Sequence, residues 1–439
     1  MKTAVRGAMI SFRADPFLHP AAACLHYDSD ALIIMEDGKI SALGPAASLL
    51  PALPADVPLQ HFPHGVLLPG FIDCHVHYAQ TEMMAAFGAQ LIDWLNDYTF
   101  VTEQGFAEGE HAREVARLFL QEQLRNGVTT ACVFGTVHPH SVDVLFEEAA
   151  RYGLRLIAGK VCMDRHAPAA LLDTAQAAYD DSLALIRRWH GRGRAEYALT
   201  PRFAPSCSPA QLDALAVLAR EYPDVLIQSH VAENLDELAW VQQLFPHCRD
   251  YADVYDRHGL LRQRAVFGHG IHLSDAEIAA FADSGAALAH CPTSNQFLGS
   301  GSLDLRRLKQ GARQVALGLG TDVGAGTSFS MLQTMQAAYV AAQSHGNALT
   351  AVQAWYLATR GGAAALGIAD KVGSLAPGME ADLLVLDWYS TPLITFRMRY
   401  ARDVQDALFI QMMLGDDRAI AATYVAGQLV YQRAAAGGS

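Results

Sequence analysis

From residue 70 to residue 320 short apolar runs, eight in all, alternate with stretches of helical spacing. The runs are Gly70–His75, Val128–Val133, Arg155–Val161, Tyr197–Thr200, Val225–His230, Ala265–Gly268, Ala287–His290 and Val315–Gly320. Strands buried on both faces read as continuous apolar runs, and strands separated by helices pair in parallel. Helical periodicity fills His111–Arg125, Ala169–Trp189, Pro209–Glu221, Asn234–Leu244 and Asp275–Ala282, several opening with Ser, Asp or Pro. Eight such units predict an α/β chain folded as a closed (β/α)8 TIM-type barrel. An open doubly wound sheet would want a Gly-rich phosphate turn after its first strand, and Pro69-Gly-Phe-Ile-Asp-Cys-His75 is no such turn.

Outside this region the pattern changes. Ala31-Leu-Ile-Ile-Met35 and Ile40-Ser-Ala-Leu43, joined through Asp37-Gly38, spell a hairpin. Near the other end, Ala381–Asp387 and Ala422–Tyr431 are again short strands with a Gly turn. The two β-rich ends are expected to pair into one small sheet domain.

Composition narrows the functional classes. With 51% hydrophobic and 18% charged residues over 439 positions, the chain buries a large core. The balance of 32 Lys+Arg against 45 Asp+Glu, net −13, opposes phosphate backbones and anionic membrane surfaces, so no nucleic-acid or membrane partner is expected. The seven cysteines are scattered with no CxxC pair and read as reduced, mostly buried thiols. The amino-terminal apolar stretch is broken by Arg6, Ser11, Arg13 and Asp15, and no run reaches the roughly 18 apolar residues of a membrane span. A cytoplasmic location follows as the expectation.

In a barrel of this kind functional residues collect at the carboxyl ends of the strands. The first strand ends in His75-Val-His77, whose i, i+2 spacing sends both imidazoles to one side of an extended chain. The fifth ends in His230-Val-Ala-Glu233, the sixth in His269-Gly-Ile-His272, and the eighth in Gly320-Thr-Asp322. Each has a blander alternative: His230 or His269 as a hydrogen-bonded core histidine, Glu233 as a solvated residue, Asp322 as a helix cap. Their joint occurrence at strand ends points to a metal site. Imidazoles plus a carboxylate, without thiolate, suit zinc or iron(II) better than calcium or magnesium. One ion is expected, because the fourth strand, Tyr197–Thr200, offers no bridging lysine and Lys160 in the third is the only nearby alternative.

A single divalent ion lowers the pKa of water toward neutrality, so metal-assisted hydrolysis is the predicted reaction class. Glu233 would take the water proton and pass it to the substrate, Asp322 would steer the water, and His269 would polarise the group under attack. The cysteine pair of the cytidine-type zinc deaminases is missing.

Together Pro69–His77, Ser229-His230-Val-Ala-Glu233-Asn, Gly268-His269-Gly-Ile-His272 and Gly318-Leu-Gly-Thr-Asp322 resemble the amidohydrolase superfamily. The likeness spans the chain and includes Gly373-Ser-Leu-Ala-Pro-Gly-Met-Glu-Ala-Asp382, similar to the late signature of that family's flanking β-sandwich. It implies a β-sandwich from 1–66 and 373–439, a barrel from 67–372, and metal ligation by His75, His77, His230 and Asp322. Within the superfamily, Tyr78–Phe100, Thr200–Cys207 and Cys291–Gly301 resemble the guanine-deaminating members. By that resemblance Gln80 and Arg202 would hydrogen-bond a purine base, with Phe203 and Trp94 near its ring and His269 beside it. Water would attack C2, giving xanthine and ammonia in purine catabolism. Ala79 stands where a proline is common, and Val231 where a leucine is; neither change removes a chemical group. Sister enzymes acting on triazines, 8-oxoguanine, pterins or adenosine-like compounds would share the metal chemistry. A hydantoinase-like ring opener fits less well for want of the bridging lysine, and a scaffold that lost its ligands fits less well because the ligands are present. The resemblance also points to a homodimer, and the loops around Leu91–Gly109 are placed to form a lid.

Overall fold

The computed structural model describes residues 2–88, 90–310 and 313–434. Met1 and 435–439 of the expected terminal domain, and Ala89 in the segment from Tyr78 to Phe100, lie outside the described residues.

The eight predicted strands are all present as β1 (Phe71–His77), β2 (Val128–Phe134), β3 (Arg155–Gly159), β4 (Ala195–Pro201), β5 (Leu226–Val231), β6 (Ala265–His269), β7 (Ala287–His290) and β8 (Ala316–Leu319). They pair in sequence order, every neighbour parallel. A two-residue strand, Val161–Cys162, also pairs with β4. The seam between β8 and β1 is closed by the chain that follows β8, where Asp322 N–H donates to the His75 carbonyl (2.9 Å) and His77 N–H to that of Val323 (3.1 Å).

Two apolar layers hold this barrel. The interior is filled by small and aliphatic side chains, one or two from each of β1 to β7: Ile72 and Cys74, Cys132, Ile157, Ala198, Leu226, Val266, Ala287 and Ala289. Its amino-terminal end is plugged by Ala363, Leu366 and Ile368. Outside, a larger core joins strands to the surrounding helices through residues such as Phe71, Val133, Leu156, Tyr197, Ile227 and Phe267. Ser208, Asn234 and Ser274 cap their helices by accepting backbone N–H groups, which is why helices start at Pro209, Leu235 and Asp275.

The termini join in one seven-stranded sheet. Its order is Gln428–Gln432, Ile420–Val425, Leu383–Asp387, Leu59–Pro69, Lys2–Phe12, Leu25–Glu36, Lys39–Pro45. The predicted hairpin is there: Glu36 pairs with Lys39, and Asp37 and Gly38 both take positive φ (50° and 82°), the turn that matches strand twist. Leu59–Pro69 is followed after one residue, Gly70, by β1, so the sheet is continuous in sequence with the barrel.

Candidate active site

The site lies at the carboxyl ends of the barrel strands, where the sequence places it. In β1 a register shift against β2 falls between Asp73 and Val76. Across it the inward direction passes from Ile72 and Cys74, which pack in the barrel interior, to His75 and His77, which meet Asp322. Such a bulge re-aims side chains next to a functional site. The His75 ring is admitted by two glycines, since a Cβ at Gly268 would lie 2.7 Å from its Cε1 and one at Gly320 2.8 Å from its Cβ. Asp73, buried below, accepts from Thr321 N (3.0 Å) and Oγ1 (2.5 Å) and so ties β1 to the segment carrying Asp322. Burial raises the Asp73 carboxyl to about 6.

Three non-glycine residues of the site hold left-handed backbone: Ala232 (φ 48°), His269 (φ 72°) and Asp322 (φ 49°). Each costs on the order of 1 kcal/mol, and each lies at the end of a barrel strand, where the chain turns sharply to leave a side chain over the pore.

His75, His77, His230 and Asp322 converge. His77 Nε2 lies 3.2 Å from His230 Nε2 and 3.3 Å from Asp322 Oδ1, which is 3.4 Å from His75 Nε2. His75, His77 and Asp322 are almost fully enclosed and His230 is partly buried. His230 Nδ1–H donates to the Arg202 carbonyl at 2.6 Å. A carbonyl only accepts, so the tautomer is fixed and the Nε2 lone pair faces the cluster. Burial holds the His77 imidazole down at about 4, against the pull of Asp322, and burial with neighbouring imidazoles holds His230 well below its ordinary value. His75 Nε2 is buried with no hydrogen-bond partner. Four nitrogen and oxygen ligands about 2.0–2.1 Å from one tetrahedral ion would stand about 3.3 Å apart. The observed spacings and the orphaned lone pairs therefore fit a single divalent ion.

Beside this cluster the carboxyl groups diverge. Burial alone would raise Asp322, but the neighbouring imidazoles of His75 and His77 hold it well below the usual range. Glu233 goes the other way, pushed well up by burial and by the charges of Glu237 and Asp322. Two carboxyl groups driven apart in this manner mark an acid and a base. Glu233 is held by the capping box of its helix: Glu237 accepts the backbone N–H of Glu233 (2.9 Å) and of Asn234 (3.1 Å). Its Oε2 is 3.3 Å from His269 Nε2, and Ser300 Oγ donates to its Oε1 at 3.3 Å. His269 Nδ1 donates to Asn295 Oδ1 at 2.8 Å.

A cleft of about 440 Å³ opens above, lined by His77, His230, His269, Glu233 and Asp322 on its floor and by Gln80, Trp94, Arg202 and Phe203 around it. Every predicted site residue is thus brought to one place, with His75 just beneath. Lys160 is not: its Nζ is bound to Asp173 (2.5 Å) and the Val161 carbonyl (3.3 Å). The segment from Leu91 to Ala107 folds as four short helical pieces over the cleft, and Leu91, Trp94 and Leu95 line it.

Comparison with known proteins agrees with this geometry. The amidohydrolase family profile matches residues 66–430. The chain belongs to the amidohydrolase family. It is 46% identical to the guanine deaminase of Escherichia coli over 431 residues, covering 98% of both chains. The solved structure of E. coli guanine deaminase superposes with a TM-score of 0.96 at 45% identity, covering 98% of this chain and all of that one. A guanine deaminase from C. acetobutylicum, solved with guanine bound in its active site, superposes with a TM-score of 0.87 at 29% identity over 98% of this chain and all of that one.

Sequence reasoning missed Glu103, Glu237, Asn295 and Ser300 as parts of the site. Asn295 and Ser300 stood inside a stretch singled out for its resemblance, Cys291–Gly301, and Glu237 at the third position after an Asn cap is a capping-box signal. Glu103 had none, because an acid in a helical run reads as a solvated face.

Proposed function

We propose that the chain hydrolyses guanine to xanthine and ammonia. The observation that carries this reading is the meeting, in one cleft, of the histidine–aspartate cluster with the polar pair Gln80 and Arg202. Full-length similarity to guanine deaminases supports it.

In this reading His75, His77, His230 and Asp322 hold one divalent ion, zinc before iron(II) by the chemistry of three imidazoles and a carboxylate. When bound, that ion supplies a water acidified toward neutrality as the nucleophile. Gln80 and Arg202 hydrogen-bond the base, and Phe203 and Trp94 flank its flat ring. Addition at C2 places charge on the adjacent ring nitrogen N3, and Glu233 carries the proton from water to that atom. Asp322 takes the second water proton and hands it to the departing amino group, so that one water and one guanine leave as xanthine and ammonia. His269, fixed by Asn295, holds the developing charge.

Residues 67–372 act as the catalytic unit and 1–66 with 373–439 as the accessory one; the partly buried pairing of Arg155 and Arg194 with Glu380 supports their moving as one body. Six buried thiols and one half-buried one, all free, suit a cytoplasmic setting. The exposed apolar side chains of Leu393, Phe396 and Tyr400 suit a two-fold dimer.

The test is ammonia release together with the guanine-to-xanthine absorbance change, measured on zinc-loaded protein beside Glu233→Gln and against adenine, cytosine and 8-oxoguanine. Guanine turnover that falls at least about 100-fold in the variant is expected. Turnover of another base in preference to guanine would replace the substrate while keeping the hydrolase.

A further inference from the structure

Both polar side chains offered to the base are anchored by one carboxylate. Glu103, in the helix Phe100–Gln104, is 1% exposed, and Arg202 and Gln80 are each 3% exposed. Glu103 Oε2 accepts from Arg202 Nη1 at 2.6 Å, and Glu103 Oε1 accepts from Gln80 Nε2 at 3.4 Å. One turn earlier on the same helix, the Phe100 ring lies 5.4 Å from the Arg202 guanidinium carbon. The guanidinium is therefore fixed from two sides by a single helical turn, 99 residues away in sequence.

We propose that Glu103 is a positioning residue that sets the selectivity of the cleft for bases presenting a ring carbonyl next to a ring N–H. The argument is one of donors and acceptors. Arginine has five N–H donors and no acceptor, so Arg202, held through Nη1, turns its remaining donors toward an acceptor on the base. An ionised carboxylate only accepts, so the Gln80 amide must turn its NH2 to Glu103, leaving its carbonyl oxygen as the end free to accept. The cleft then displays a fixed donor beside a fixed acceptor. A lactam edge, C=O with an adjacent N–H, is the complement of that pair. An amino group in place of the carbonyl would set N–H against N–H and leave buried donors unpaired, which is the strongest kind of discrimination available to a polar site. Without Glu103 the amide could turn over and the guanidinium could swing, and either base edge would be accommodated.

This inference rests on the proposed guanine reading. Its test compares guanine with 2,6-diaminopurine, which keeps the reacting 2-amino group and replaces the ring carbonyl by an amino group, using metal-loaded wild-type protein, Glu103→Gln and Glu103→Asp. The aspartate variant keeps the charge but is one methylene short of spanning both partners, and it serves where the glutamine variant folds poorly. For guanine the expected change is a rise in KM of about tenfold or more with kcat moved much less, as removal of ground-state positioning predicts. The preference for guanine over 2,6-diaminopurine should narrow at least tenfold in Glu103→Gln, and less in Glu103→Asp. A wild type that turns over neither base would overturn the activity and this assignment with it. A wild type active on guanine, with KM and preference unchanged in both variants, would overturn this assignment alone. So would a fall in kcat at constant KM and constant preference, because a group acting on the chemistry or on folding would not move selectivity.

Discussion

At the scale of single residues the site depends on backbone that most sequences avoid. Ala232 separates His230 from Glu233 at φ 48°, where a β-carbon is disfavoured and glycine is not. The strain makes the chain turn within one residue, so that His230 stays on the strand while Glu233 hangs over the cleft. Ala232→Gly should leave the protein as stable as before or more so by up to about 1 kcal/mol, while the looser link lowers kcat severalfold. Calorimetric unfolding alongside steady-state kinetics checks both; a clear loss of stability would show that the alanine methyl matters more than the strain. None of this was legible beforehand, since Ala232 reads as an ordinary small residue. The proposed ligands themselves were legible, because histidine and aspartate at strand ends carry their chemistry in their identity. Glu103 was not, since a pairing across 99 positions leaves no trace in local pattern.

Secondary-structure elements were the most readable level, for a physical reason. Strands buried on both faces must be apolar throughout, so all eight stand out; what the pattern misses is set by neighbours, such as the shift between Asp73 and Val76 that depends on β2. Likewise Ala169–Trp189, which looks continuous, is a short turn at Ala169–Leu171 followed by a helix from Ala175, because Thr174 caps the later start by accepting from Ala177 N–H. A buried charge inside a helix is likewise settled by its neighbours. In the helix Tyr251–Arg257, buried Asp253 accepts from Arg249 Nε (2.9 Å) and N–H (2.9 Å) and from Arg257 Nε (2.7 Å). Burial would raise its carboxyl, but these donors hold it well below the usual range. A folded-state pKa below the unfolded one gives stability that is full above about pH 4, the unfolded value, and is lost as pH falls through the folded value. Asp253→Asn should therefore cost about 1 kcal/mol near neutrality, discounted because both arginines lie open to solvent, and nothing at the acid extreme. Urea unfolding at pH 7 and pH 3 measures it: the gap between wild type and variant should shrink on acidification, and a gap that widens would contradict the ion-pair account.

For the whole molecule the decisive feature is the seam. Among the described residues the strand ladder runs from β1 to β8 without a direct β8–β1 pairing, and closure is left to the segment after β8. That same segment carries Asp322, while β1 carries His75 and His77, and β5, on the far side of the barrel, carries His230. An ion held by all four would thus cross-link the two edges of the seam and anchor them to the opposite wall. Anything that binds only the folded state stabilises it by RT ln(1 + [L]/Kd), about 4 kcal/mol when free ligand is a thousand times Kd. Removing metal with a chelator should lower the melting temperature by several degrees, and one equivalent of zinc per chain should restore it. Location separates a seam cross-link from general stabilisation. Amide exchange in the metal-free protein should quicken first in β1 and in residues 320–323, where His75, His77, Asp322 and Val323 pair, and least in β3 and β4, whose ladders need no ion. Uniform quickening around the barrel would mean that the ion holds no particular seam. A melting temperature indifferent to chelation and zinc would remove the ion from the folding energetics altogether, and with it the reason for bringing three imidazoles and a carboxylate so close together.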